Sequence, residues 1–142
     1  MYRTILVPLD NSPCDEAILS HIRNLAKLMR SRLVLVHVAD GFAARAKDSL
    51  NLEESEEMRE DRAYLDKRRA ELAAEGFDVA AELRMGEPTP EILALAAEVH
   101  ADLIAMSTHG HGPIKDLILG SVASDVRHRT DIPVLLVRAK RP

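Results

Sequence analysis

The sequence predicts one open, doubly wound α/β domain over residues 1–142: a mostly parallel five-stranded sheet of order 3-2-1-4-5 with four helices. Three observations lead there. Five short apolar runs recur along the chain, and four of them are near-continuous, as strands buried on both faces of a parallel sheet should be. The segments between them carry helical spacing and helix-start signals. The 142 residues, 46% of them apolar, suit a single core that needs no disulfide or metal to hold it.

The first run is Thr4–Pro8. Ser12 then reads as an N-cap, with Pro13 at the first helical position and Asp15 three residues on, in the manner of a capping box. Ile18, Ile22, Leu25 and Met29 form one apolar stripe on the helix that follows. The second strand is Leu33–Val38, and Gly41 to Ser49 reads as a loop. A second helix runs from about Leu52 to Glu75 and stops at Gly76, with a narrow buried seam of Met58, Leu65 and Leu72 among many charges. Val79–Leu83 is poorer in bulk and carries charge, which suits an edge strand. A third helix starts at Thr89 or Pro90 and packs through Ile92, Leu93, Leu95, Ala96 and Val99. The strand Leu103–Met106 leads to a long loop, a fourth helix beginning near Gly120–Ser121 and ending around Thr130, and a last strand, Val134–Val137. This β-α alternation is Rossmann-like.

Composition narrows the function. Two Tyr, two Phe and no Trp argue against sites built on stacked rings, including single-stranded nucleic-acid platforms and aromatic cages. A net charge of −4 is the wrong sign for a duplex binder, so no nucleic-acid partner is expected. The single cysteine, Cys14, cannot form an internal disulfide and fits a reducing compartment. No run approaches the ~18–20 apolar residues of a membrane span, and the N-terminus does not read as a signal peptide. A cytoplasmic protein without a membrane partner is expected.

In an open α/β sheet, ligands bind beyond the carboxyl ends of the strands. Two segments there carry suitable chemistry. In Pro8-Leu9-Asp10-Asn11-Ser12, Asp10 either stabilises the following helix terminus, worth ~0.3–1 kcal/mol, or accepts hydrogen bonds from ligand hydroxyls or holds a metal. The second is the stretch from Met106 to Val122, where Ser107, Gly110 and Gly112 let the backbone approach a ligand. Gly120 and Ser121 at a helix start would favour a phosphate. His109 and His111 flank Gly110, but no carboxylate or thiol completes a metal site at recognisable spacing, and no metal site is expected. The P-loop, the nucleophile elbow and the glycine-rich dinucleotide fingerprint are missing.

The chain resembles the universal stress protein (UspA-like) family along nearly its whole length. The resemblance rests on Ile5-Leu6-Val7-Pro8-Leu9-Asp10-Asn11-Ser12, Leu35-Val36-His37-Val38, Gly86-Glu87-Pro88, Gly120-Ser121-Val122 and Ile132-Pro133-Val134-Leu135-Leu136-Val137. The family's ATP-binding motif is Gly-x2-Gly-x9-Gly-Ser/Thr. Gly110, Gly120 and Ser121 match it, while its first glycine is replaced by Ser107. The resemblance implies ATP, with Mg²⁺ or Mn²⁺ bridging its phosphates. It places Asp10 at the ribose, Val38 at the adenine, Met106 and Ser107 along adenine and ribose, and Gly110, Gly120, Ser121 and Val122 around the phosphates, and it counts Pro8 and Leu9 among the nucleotide-binding positions. Lys115 lies within the same loop. The implied function is an ATP-binding stress-response module without assigned catalytic residues. The alternatives are a nucleotide-independent interaction protein of the same fold, which Ser107 would favour, and a slow ATPase or autophosphorylating protein with Ser121 as acceptor. Val134–Val137 at a sheet edge invites pairing with a second copy, so a homodimer is expected.

Overall fold

The computed structural model describes residues 1–40, 56–109 and 117–139, with the backbone alone at 40, 109 and 117–120. Its elements are β1 (Thr4–Pro8), α1 (Asp15–Met29), β2 (Arg32–Asp40), α2 (Glu56–Ala74), β3 (Val79–Gly86), α3 (Pro88–Glu98), β4 (Leu103–His109), α4 (Leu117–Arg129) and β5 (Val134–Ala139). The sheet order is β3-β2-β1-β4-β5, every pairing is parallel, and β3 and β5 are the edges, as the sequence predicts.

Both faces of the sheet are covered, and the period-two alternation of the strands divides their side chains between two cores. Ile5, Val7 and Leu9, with Leu33, Leu35, Leu103 and Ala105, face α1 and α2, where Ile18, Leu19, Ile22, Ala26, Leu65 and Leu72 meet them. Leu6, Val34, Val36, Ile104 and Met106 face the opposite way, onto Ile92, Leu95 and Ala96 of α3 and Ala123 and Val126 of α4. The predicted seam of α2 is buried throughout, at Met58, Leu65 and Leu72. That helix stops where expected. Gly76 takes φ +98, a conformation that favours glycine, and Phe77 N–H closes back on Leu72 O at 3.1 Å, which satisfies an orphan carbonyl of the last turn.

Two helix starts differ from the sequence reading. The regular part of α1 begins at Asp15, although the turn ahead of it is already wound: Asp15 N–H donates to Ser12 O at 3.0 Å, and Ser12 Oγ accepts from Cys14 N–H at 3.2 Å. Cys14, not Ser12, stands at the N-cap position; Ser12 closes the turn ahead of it, and the Asp15 carboxylate goes to other N–H groups. α4 is already helical from Leu117, three residues ahead of Gly120, and Leu-Ile-Leu contains no helix breaker. The loop predicted at Gly41 to Ser49 lies outside the described residues, as does the predicted start of the second helix at Leu52.

Leu65→Ala should remove a fully enclosed side chain of the α2 seam and cost roughly 2–4 kcal/mol by urea unfolding. Lys67→Ala, two positions along on the solvent side, should stay within about 0.5 kcal/mol.

Candidate functional site

The strand order reverses between the two central strands. β1 and β4 pair through Ile5–Leu103 and Leu6–Ile104. Beyond that point β1 pairs outward with β2 as far as Pro8, and β4 pairs outward with β5 as far as His109. The carboxyl ends of the two central strands are thus the switch point of the fold, where a ligand can enter between them.

The turn from Leu9 to Cys14 leads from the carboxyl end of β1 into α1. Leu9 is buried, and its N–H donates to Val36 O at 2.8 Å, extending the sheet by one bond. Asn11 takes φ 60, a left-handed conformation that asparagine tolerates better than most residues. Three side chains hold the turn. The Asp15 carboxylate accepts Asp10 N–H at 3.1 Å and Asn11 N–H at 2.9 Å. His37, from β2, places Nδ1 2.8 Å from Leu9 O and Nε2 3.1 Å from Asp61 Oδ2. Asp61, from α2, also accepts Asn11 Nδ2–H at 3.0 Å. Ser12 Oγ donates to Asp10 Oδ1 at 2.6 Å, which orients the carboxylate expected to contact ligand.

Asp15 is fully buried, and its Oδ2 also accepts from Tyr64 OH at 2.7 Å. Burial pushes its carboxyl up to about 7, and the neighbouring Asp10 charge pushes the same way. Tyr64 OH and the Asp10 backbone N–H pull it back down. Tyr64 is in turn raised above the usual phenol range by burial and by its bond to Asp15. Arg68 donates to Tyr64 OH at 3.3 Å and to Glu16 Oε2 at 2.6 Å, and that bond holds the Glu16 carboxyl below its ordinary value.

A sequence model of the universal stress protein family matches residues 1–138. The chain belongs to that family. The universal stress protein MJ0577 of Methanocaldococcus jannaschii is 30% identical over 99% of this chain and 97% of its own length. Its solved structure superposes at TM-score 0.84, covering 100% of this chain and 99% of that one. The universal stress protein of Archaeoglobus fulgidus in complex with dAMP superposes at TM-score 0.71 and 24% identity, covering 96% and 98% of the two chains. A universal stress protein in complex with cAMP superposes at TM-score 0.74 and 22% identity, covering 98% and 99%. At those two identities the likeness is one of fold.

In this universal stress protein the expected positions divide into three groups. Pro8, Leu9 and Asp10 end β1, Met106 and Ser107 lie beside them near the end of β4, and Val38 is half-buried near the end of β2. Gly120, Ser121 and Val122 lie on α4, which packs on β4. The helix already includes Leu117, so Gly120 and Ser121 lie within it rather than opening it. Gly110, His111 and Lys115 lie outside the described residues. Among the described residues no cluster of three metal-ligating side chains occurs. Ser107 is fully enclosed, and its Oγ is a buried side-chain polar atom with no hydrogen-bond partner among the described residues.

Sequence reasoning passed over the clamp itself. Asp15 was legible only as a cap, and Asp61 and Tyr64 only as members of a charged helix. The signal lay in the seam: Asp61 and Arg68 alternate with Met58, Leu65 and Leu72 at helical spacing, so the buried stripe of α2 is interrupted by charge.

The raised Asp15 pKa carries a sign. The folded value lies above the unfolded one, so the group favours folding below about pH 4, and that contribution is lost as pH rises toward 7. The stability of the wild type relative to Asp15→Asn should therefore fall between pH 4 and 8, by on the order of a few kcal/mol, in urea unfolding at stepped pH.

Proposed function

We propose that this universal stress protein is an adenine-nucleotide-binding regulatory module that holds ATP at the carboxyl ends of β1, β2 and β4. The observation that carries this reading is Asp10, set just past the carboxyl end of β1 by a turn that Asp15, His37 and Asp61 fix in place. Family membership and the nucleotide complexes of related folds support it.

In this reading Asp10 accepts the ribose hydroxyls, with Pro8 and Leu9 beneath them. Val38 and Met106 border the adenine, which suits a chain with no Trp, since aliphatic walls rather than ring stacking must hold the base. Ser107 stands along the ribose, and its unpartnered hydroxyl is a polar group that a rearranged, ligand-filled site can satisfy. Gly110, Gly120, Ser121 and Val122 surround the phosphates, whose oxygens Mg²⁺ or Mn²⁺ bridges. Ser121 is exposed on α4. The nucleotide acts by stabilising one conformation or partner surface of a cytoplasmic protein.

Calorimetric titration with ATP and Mg²⁺ tests this directly. Binding is expected, with Asp10→Ala weakening it by roughly tenfold or more, the worth of a hydrogen bond to a charged group. Absence of heat at millimolar ATP overturns the reading. With two Tyr and no Trp the protein absorbs weakly at 280 nm, so nucleotide retained through purification would dominate its spectrum.

The same reading includes a homodimer through the β5 edge. β5 pairs with β4 on one side, and Leu136 is 37% exposed on it. Antiparallel pairing of two such edges is the isologous solution. Sedimentation should give twice the 15.7 kDa chain mass. A mass near 15.7 kDa at working concentration would count against it.

A further inference from the structure

Asp15 is the one fully buried carboxylate among the described residues, and the nucleotide reading gives it no direct contact with ligand. Its hydrogen bonds nevertheless join three parts of the molecule. Asp10 and Asn11 N–H belong to the ligand-facing turn, Asp15 itself opens α1, and Tyr64 OH comes from α2. All three partners donate, which is the arrangement an ionised carboxylate requires. A protonated carboxyl has one oxygen that must donate instead, and the Asp10 carboxylate is the neighbouring acceptor.

We propose that Asp15 is a proton-linked positioning residue for Asp10: ionised, it draws the Asp10 and Asn11 N–H groups inward and leaves the Asp10 carboxylate to ligand hydroxyls; protonated, it turns its O–H onto Asp10 and competes with them. This deepens the nucleotide reading and rests on it for the role of Asp10. The groups around Asp15 are consistent with such a device. Asp10 faces it from the turn and Tyr64 from α2. Arg68 reaches Tyr64 OH but is engaged by Glu16 and by Glu71, its Nη1 lying 3.2 Å from Glu71 Oε2. His37 from β2 and Asp61 from α2 hold the far side of the same turn, on Leu9 and Asn11. None of these places a cation directly on the Asp15 oxygens, so the carboxyl titrates against burial and a second carboxylate, which sets its change of charge near neutral pH.

NMR of the free protein between pH 5 and 9 tests the device without ligand. The Asp10 and Asn11 amide resonances should titrate together with the Asp15 carboxyl carbon, at a midpoint within about one unit of 7. Asp15→Asn should abolish that step. Tyr64→Phe, which removes a donor to the carboxylate, should move the midpoint upward and keeps the proposal testable if Asp15→Asn fails to fold. Amides that do not titrate in this range, or that titrate identically in Asp15→Asn, overturn the proposal. So does an unmoved midpoint in Tyr64→Phe.

A second arm measures ATP affinity at pH 6 and pH 8 in the wild type and Asp15→Asn, with Tyr64→Phe as the comparator should Asp15→Asn fail to fold. The titration of ATP itself is common to all the proteins and cancels. The wild type should gain about 3–10-fold more affinity across this interval than Asp15→Asn, the size of effect expected for a one-proton linkage. Equal gains in two proteins that both bind ATP overturn the coupling of Asp15 to ligand. Titrating amides in a protein that binds no ATP at either pH overturn the nucleotide reading instead, and support the proton-linked turn.

Discussion

A strand buried on both faces allows no polar chemistry along its length, and the rest of this molecule follows from that constraint on β1. Ile5, Leu6, Val7 and Leu9 are spent on the two cores. The first residue at which the chain can carry a functional carboxylate is Asp10, one position beyond the last buried residue. The chain there has left the sheet, so its N–H groups need partners that the strand ladder no longer supplies. Asp15 fills that need from the first turn of α1, at the energetic cost of a charge away from water, and three donors rather than a counter-ion offset part of that cost.

The fold was legible because its signals were redundant. Continuous apolar runs, a seven-residue repeat and a glycine after the second helix each pointed to the same elements, and the sheet order followed from right-handed crossovers. The helix starts were less legible. Ser12 and Pro13 did wind the first turn, but the capping-box reading sent Asp15 to the wrong N–H: a carboxylate at that position reaches Asp10 and Asn11 once Asn11 adopts φ 60, and local pattern alone does not show that bend. At Gly120 the reading relied on a glycine as a start signal, whereas Leu117–Leu119 already continue the helix.

The sequence reading gathers Asp10, Val38, Met106 and Ser107 as candidates, and the fold sets these positions near the ends of adjacent strands. What pattern could not give was the second layer. His37, Asp61 and Tyr64 come from β2 and α2, far from Asp10 in sequence, and they reach its neighbours Leu9, Asn11 and Asp15 because α2 lies over the same face as α1. Ser107 is the sharpest case. As a sequence feature it was a substitution in a glycine motif. In the fold it is an enclosed hydroxyl with no hydrogen-bond partner among the described residues.

The charges interrupting the α2 seam also solve a problem of alignment. Met58, Leu65 and Leu72 repeat every seven residues, so a slide of two turns, about 10 Å along the helix axis, would set one large apolar side chain in the place of another at modest cost. Dispersion and burial are nearly indifferent to such a shift. Directional bonds are not. Asn11 with Asp61, Asp15 with Tyr64 and Glu16 with Arg68 form three pins along one side of the helix, and each is broken by displacement of a few ångströms. The polar residues that make α2 look like an ordinary solvated surface helix thus act as its vernier, choosing one of several near-equivalent seatings and fixing the ligand-facing turn to the same scale.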